Sequence, residues 1–272
     1  MDLTIGFLGP GQLGEPMVQR LRAAGFPVLV YARRDDVRRT LREHGADLAE
    51  SVAEVAAASD IVIGCLFSDS QLREIGLGSE GFIAHAKPGS VFVSHTTGSV
   101  NTLEELAQAA TTELEIVDAP VSGGVDEILS GSLTVLLGGA SGAIDTVEPV
   151  LAAYANPIIR TGERGSALRV KLVNNLLFAA NAQLAALAVH IGEQIGVQSE
   201  GLLRALAVCS GGSRAAGMMK QLGGPAEFIR NARPFLVKDV AVASAFAEEL
   251  GVDLGLLQLV ASSGPFSLVA EA

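Results

Sequence analysis

Residues 5–14 read Ile5-Gly6-Phe7-Leu8-Gly9-Pro10-Gly11-Gln12-Leu13-Gly14, an apolar run of strand character that breaks into a G-x-G-x-x-G turn and continues as a stretch of helical period. A strand that hands a glycine turn to a helix N-terminus makes an anion seat. Gly9 permits the tight turn, Gly11 lets the backbone approach a pyrophosphate, and Gly14 allows close helix–sheet packing, while the helix start supplies N–H groups and positive dipole. Pro10, Gln12 and Leu13 fill the same turn and are expected beside the ligand. A glycine-rich turn without a ligand is the competing reading, and the flanking strand and helix weigh against it.

The same alternation repeats outward from this turn. Strands are predicted at Leu3–Leu8, Val28–Tyr31, Asp60–Cys65, Ser90–Ser94, Glu115–Asp118, Leu133–Gly138 and Pro157–Arg160. Helices are predicted near Gly11–Ala24, Asp35–His44, Ser51–Ala58, Asp69–Glu74, Asn101–Thr111 and Ile144–Ala153. Short β-branched runs alternating with Ala/Leu/charge-rich helices predict an α/β fold, a Rossmann-type parallel sheet covered by helices, with ligands at the carboxyl ends of the strands. After Thr161-Gly162 no strand-like run follows. Ala/Leu helices separated by Gly-Gly and Pro take over, beginning with one long helix from about Ser166 to Gly192. The expected organisation is a dinucleotide-binding domain over 1–161 and an all-helical substrate and oligomerisation domain over 162–272.

The second strand bears on which dinucleotide is bound. About twenty residues past the glycine turn, an NAD-binding fold presents an acidic residue to the ribose hydroxyls. Here that strand ends Val30-Tyr31-Ala32-Arg33-Arg34. Ala32 leaves the acidic position empty, two guanidiniums suit a 2′-phosphate, and Arg33 can also stack on adenine, so NADP is favoured over NAD. Asp35 and Asp36 read as first-turn helix residues rather than ribose ligands. Later strand ends bring Cys65-Leu66-Phe67 and Ser94-His95-Thr96-Thr97-Gly98 to the same edge. Leu66, Phe67, Thr96 and Thr97 are therefore expected near the cofactor, although small hydroxyl residues there serve equally as helix caps. His95 has no carboxylate partner in its motif and is read as structural.

Composition narrows the partners. The chain has 272 residues, 49% of them hydrophobic, and a formal net charge of -11, which repels phosphate backbones and anionic lipid headgroups. Neither nucleic acid nor membrane is expected as a partner. Cys65 and Cys209 form neither a disulfide framework nor a metal-ligand spacing, so no metal site is expected and a reducing cytoplasm is the expected compartment. The N-terminus shows no basic n-region or cleavage site, which fits a protein that is not exported. The most apolar long segment, Leu172–Ile191, is interrupted by Asn174, Asn175, Asn181, Gln183 and His190, which reads as a buried helix rather than a membrane span.

Two constellations carry the remaining chemistry. Asp118-Ala119-Pro120-Val121-Ser122-Gly123-Gly124 follows a strand and offers a hydroxyl and unencumbered N–H groups, either a nest for a carboxylate or simply a turn. Lys171 and Asn175 stand one turn apart on the long helix, with Asn174 and Asn181 close by and apolar residues around them. An ammonium buried in that stripe would be tuned for proton transfer, whereas one that snorkels to the surface would not.

Taken together, Gly9–Met17, Asp118–Gly124, Gly162–Asn175 and Lys238-Asp239 resemble the motifs of the β-hydroxyacid dehydrogenase family, which includes 3-hydroxyisobutyrate, tartronate semialdehyde and γ-hydroxybutyrate type enzymes. The likeness spans nearly the whole chain. It implies a Rossmann-type domain followed by a helical one, and hydride transfer between NADP(H) and a small hydroxy acid or semialdehyde. By the same resemblance Ser122, Gly123 and Gly124 hold the substrate carboxylate, Lys171 is the catalytic acid/base, Asn175 orients the substrate, and Thr97 or Thr96 and Lys238 contact the cofactor. Ala167 and Ser94 depart from the family pattern at positions that do not touch the proposed proton transfer. Ile128 stands where a small residue is usual and is expected to narrow or reshape the pocket. An imine reductase-like enzyme and a non-catalytic NADP-binding sensor or scaffold are the rival readings, and a homodimer or homotetramer is the expected assembly.

Overall fold

The computed structural model describes residues 3–110 and 113–268, so Asp2, the predicted helix end at Thr111 and the outer ends of the two expected domains lie outside the described residues. The chain divides into two compact units, Met1–Lys171 and Leu172–Ala272.

In the first unit the elements run β1 (Ile5–Leu8), α1 (Gly14–Ala23), β2 (Val28–Tyr31), α2 (Asp35–Glu43), β3 (Asp47–Ala49), α3 (Val52–Ala58), β4 (Ile61–Gly64), α4 (Asp69–Gly76), α5 (Phe82–His85) and β5 (Val91–Ser94). Then come α6 (Val100–Ala109), β6 (Glu115–Asp118), β7 (Val121–Ser122), α7 (Val125–Ser130), β8 (Leu133–Gly138), α8 (Ser141–Leu151) and β9 (Ala155–Gly162). The strand order is β3-β2-β1-β4-β5-β6-β8-β7, with β9 on β8. The strands β1, β4 and β5 are buried along their whole length, as strands covered on both faces must be, which explains their unbroken apolar sequences.

The sheet is not wholly parallel. From β3 to β6 every ladder is parallel, but β8 runs antiparallel to β6 and β7, with Asp118 opposite Gly138, Val121 opposite Val135 and Ser122 opposite Thr134. A parallel return needs a crossover of about a dozen residues or more. Residues 123–132 are too few for that once α7 is formed, and Gly131, in the left-handed region at φ 73°, folds the chain straight back into β8.

A 29-residue helix, α9 (Ser166–Gln194), begins in the first unit and continues into the second. Asp118 accepts the Gly165 and Leu168 N–H groups at its start, and the division falls ten residues beyond the boundary expected at 161/162. By length and a mean hydropathy of 1.5 it could cross a membrane, yet 56% of that apolar window is buried inside the protein. The second unit adds α10 (Ser199–Leu206), α11 (Arg214–Leu222), α12 (Pro225–Leu250) and α13 (Gly255–Ser263), and no strand among its described residues. Its core joins Leu176, Ala182, Phe228 and Phe266, and the buried Gln183 side chain donates to the carbonyls of Ala261 and Phe266 and accepts from the Phe266 N–H. Local chemistry sets the ends: Ser213 caps α11, Pro225 opens α12 and Gly251, at φ 65°, closes it.

Candidate active site

The three turn glycines of the first unit differ in what surrounds them. A Cβ on Gly9, whose φ is +82°, would lie 2.5 Å from the Cys65 carbonyl oxygen. A Cβ on Gly14 would run into the Gly9 carbonyl and lie 2.9 Å from the Phe7 ring. A Cβ on Gly11 would meet nothing within 4 Å. Gly9 and Gly14 are thus required by packing, whereas Gly11 borders open space at the entrance to α1, which fits a pyrophosphate approaching the backbone. Gln12 is exposed, Leu13 half-buried and Pro10 buried.

Around the end of β2, Ala32 is buried and both arginines are exposed. The Arg34 guanidinium grips Asp36 through Nε at 3.1 Å and through Nη2, and this pairing holds the Asp36 carboxyl down at about 2. Arg33 Nη1 lies 3.8 Å from Glu74. A 2′-phosphate would therefore find Arg33 loosely held and would have to draw Arg34 from Asp36. Arg38, four residues beyond Arg34, turns inward. Its Nη1 donates to the carbonyls of Ala32 and Ala49 and its Nη2 to Glu50, so it braces the β2–α2 turn from within.

At the ends of β4 and β5, Leu66 is half-buried and Phe67 is 51% exposed. The Thr96 hydroxyl accepts the Leu66 N–H at 3.3 Å and is buried, while Thr97 is half-buried. Of the two threonines, Thr96 joins the strand ends and Thr97 is the more accessible to a ligand.

His95 is fully structural in its bonding. A carbonyl only accepts, so Nδ1 carries the proton and donates to the Ala119 oxygen at 2.5 Å, leaving Nε2 to accept the Tyr154 hydroxyl at 2.8 Å. Burial lowers the His95 pKa to about 4. The unfolded chain binds this proton below about pH 6.5 and the native state only near 4, so stability is complete above 6.5 and falls between 6.5 and about 4, by up to about 3 kcal/mol from this residue. Urea unfolding of His95→Gln should show a flatter dependence than the unmodified chain between pH 7 and 4.5. An unchanged slope would remove His95 from the acid response.

The Asp118–Gly124 segment departs from a simple anion nest. Gly124 N–H donates to Glu127 Oε2 at 2.8 Å, so a carboxylate of the chain itself already holds one of the three expected contacts. Ser122 is half-buried and Gly123 exposed, and Gly123 takes φ +138°. Ile128 is fully buried in the core of the first unit. Asp118, also fully buried, accepts the Gly165 N–H at 2.7 Å and the Leu168 N–H at 2.9 Å. Burial raises its pKa, and these N–H groups pull it back. Lys171, half-buried, follows on the same helix.

In the second unit Asn175 is 5% exposed, and its Nδ2 donates to Asp239 Oδ2 at 2.8 Å while its Oδ1 accepts from Asn174 at 3.1 Å. Lys238 Nζ lies 3.3 Å from Asp239 Oδ1. Asp239 thus joins two of the expected site residues. Its place beside Lys238 is visible in sequence, but its hold on a residue 64 positions earlier is not.

Residues 4–162 match the NAD binding domain of 6-phosphogluconate dehydrogenase, and residues 165–263 match the family described as NAD-binding of NADP-dependent 3-hydroxyisobutyrate dehydrogenase. The chain belongs to the 3-hydroxyisobutyrate dehydrogenase family. It is an oxidoreductase of that family, with an NAD(P)-binding Rossmann-type domain. The 2-(hydroxymethyl)glutarate dehydrogenase of Eubacterium barkeri is 31% identical to it over 79% of this chain and 71% of that protein. The solved 3-hydroxyisobutyrate dehydrogenase of Mycobacterium tuberculosis, in a structure with L-serine, is 27% identical and superposes with a TM-score of 0.84, covering 96% of this chain and 92% of the other. An imine reductase from Pseudomonas sp., 18% identical with a TM-score of 0.64 and covering 98% and 97%, shares the fold alone.

Proposed function

We propose that this member of the 3-hydroxyisobutyrate dehydrogenase family transfers a hydride between NADP(H) and a small β- or γ-hydroxy acid or its semialdehyde, with Lys171 as general acid/base. The observation that carries the reading is Asp118, whose carboxylate binds the start of the Lys171 helix to the strand end from which the Ser122-Gly123-Gly124 loop departs. The bound nicotinamide supplies or accepts the hydride. The chain does the rest: Gly11 and the start of α1 face the pyrophosphate, Arg33 and Arg34 pair with a 2′-phosphate, and Thr97 and Lys238 steady the cofactor. Ser122 and Gly123 seat the substrate carboxylate, joined by Gly124 once Glu127 gives way. In oxidation the alcohol carbon loses its hydride as Lys171 Nζ takes the hydroxyl proton. In reduction the Lys171 ammonium polarises the carbonyl and returns that proton, while Asn175, steadied by Asp239, orients the reacting group.

The test is turnover of three- and four-carbon hydroxy acids and their semialdehydes with NADP(H) and NAD(H), with cyclic imines alongside. Turnover confined to imines would make the protein an imine reductase, and cofactor binding without turnover would make it a sensor or scaffold. Arg33→Ala with Arg34→Ala should lower kcat/KM for NADPH about 10- to 100-fold, the loss of charge-assisted bonds to one phosphate, and leave NADH use nearly unchanged. Equal losses with both cofactors would remove the two arginines from the choice.

The assembly proposed is a homodimer or homotetramer. Along α9, Val170, Val173, Leu177, Leu184, Leu187 and Ile191 are each at least 41% exposed and recur at steps of three, four or seven residues, the spacing of a helix-packing seam. Leu177→Asp with Leu184→Asp should shift sedimentation from dimer or tetramer to monomer. An unchanged mass would place the interface elsewhere. A cytoplasmic location, with neither nucleic acid nor membrane as partner, completes the proposal, supported by two free cysteines and a net charge of -11.

A further inference from the structure

We infer that Asp118 is a positioning residue: its buried carboxylate sets where α9 begins, and hence where Lys171 stands relative to the Ser122-Gly123-Gly124 loop. This rests on the reading of Lys171 as the acid/base. The first amides of a helix lack intrahelical partners, and a side chain just before the helix usually meets them. That is how Ser51, Ser68, Ser99 and Ser213 serve α3, α4, α6 and α11. A local cap stabilises a helix without fixing its place. The cap of α9 comes instead from the last residue of β6, reaching amides 47 and 50 positions later in the chain. Both carboxylate oxygens are used, one on Gly165 and one on Leu168, so the helix start is held at two points on the sheet. Lys171 lies three residues beyond Leu168, about 4.5 Å along the axis.

The cradle around Asp118 is shaped for this carboxylate. Gly138 stands opposite Asp118 in the sheet, and a Cβ there would lie 2.6 Å from Asp118 Oδ1, 2.8 Å from Ser166 Oγ and 2.9 Å from the Glu163 carbonyl. Two further ties hold the same turn: Ser166 Oγ bonds Thr161 Oγ1 at 2.7 Å, and Arg164 grips Glu104 of α6. The loop that begins at Asp118 and the helix that carries Lys171 therefore share one anchor.

Two variants disturb the anchor by different routes. Asp118→Asn turns an amide NH2 toward one of the two N–H donors, and Gly138→Ala keeps the charge but displaces the carboxylate. Ser213→Ala, which removes the local cap of α11, is the structural comparator. The chain has four lysines, Lys87, Lys171, Lys220 and Lys238, so protein labelled with 13Cε-lysine gives few enough NMR signals to follow Lys171 directly. In both variants the Lys171 signal should shift and its titration should move while Lys87 and Lys220 stay in place. With the substrate that the unmodified enzyme turns over, kcat should fall about 10- to 100-fold with the Kd for NADPH unchanged, as expected of a misplaced group rather than a lost one. Ser213→Ala should lower Tm and change neither readout. Folded Asp118→Asn or Gly138→Ala protein with an unmoved Lys171 signal and normal kcat would overturn the inference, as would a shift of all four lysines together. Should Asp118→Asn fail to fold, Gly138→Ala decides alone. A chain that reduces no semialdehyde would sink the proposed reaction, and the Lys171 signal would still decide the role of Asp118.

Discussion

Lys171→Ala is expected to lower kcat by about 10²- to 10⁴-fold, the range associated with losing a positioned general acid/base, and to leave the Kd for NADPH nearly unchanged. The asymmetry follows from location. The glycine turn, the β2 end and Thr97 all lie at the carboxyl ends of strands in the first unit, and none of them uses Lys171 in the proposed mechanism. Lys171→Arg separates charge from proton transfer. Arginine preserves a cation, but its guanidinium does not release a proton near neutral pH, so oxidation of the alcohol should stay as slow as in the alanine variant. A Lys171→Ala enzyme within about threefold of normal turnover would show that the proton travels by another route, because a positioned acid/base typically contributes about 10²- to 10⁴-fold. Stopped-flow measurement of NADPH formation in a single turnover makes the comparison on the chemical step itself.

The strands that form the centre of the sheet are legible in the sequence because burial on both faces leaves an unbroken apolar run, as in Ile5–Leu8 and Ile61–Gly64. The short elements are not. Asp47–Ala49, Val121–Ser122 and Phe82–His85 are too brief to carry a period, and their neighbours stabilise them rather than their own sequence. The antiparallel direction of β8 is hidden for a related reason, since it depends on the length of the preceding connection and not on the apolar content of Leu133–Gly138. Within the site, residue types are readable and bonding is not. Arg33 and Arg34 stand out by their chemistry, but the hold of Asp36 on Arg34 and the inward turn of Arg38 come only with the fold. Glu127 does leave a trace: Gly124 followed three residues later by Glu127, ahead of an apolar pair, has the spacing of a capping box. Asp118 and Asp239 leave none beyond their place in short motifs, because the backbone and side-chain groups they hold, Gly165, Leu168 and Asn175, lie 47 or more residues away.

The second large effect separates the turn glycines from one another. Gly14→Val should unfold or severely destabilise the first unit, because any Cβ there drives into the Gly9 carbonyl and the Phe7 ring, and the added methyls worsen the overlap within a close-packed core. Gly9→Val should do likewise, since its φ of +82° is strained for a β-branched residue and its Cβ meets the Cys65 carbonyl. Gly11→Val should fold with a Tm close to that of the unmodified chain, because its side chain enters open space. Yet if that space receives the pyrophosphate, Gly11→Val should weaken NADPH binding about 100-fold or more, as branched carbons displace the anion from the amides at the start of α1. Thermal unfolding with and without NADPH reads both properties in one experiment. The unmodified chain should gain Tm with ligand, Gly11→Val should start from the same Tm and gain nothing, and Gly14→Val should start far lower. A Gly11→Val protein that still gained full stability from NADPH would show that the open side of this turn is not where the dinucleotide lies, and the assignment of residues 9–14 to the cofactor would fall with it.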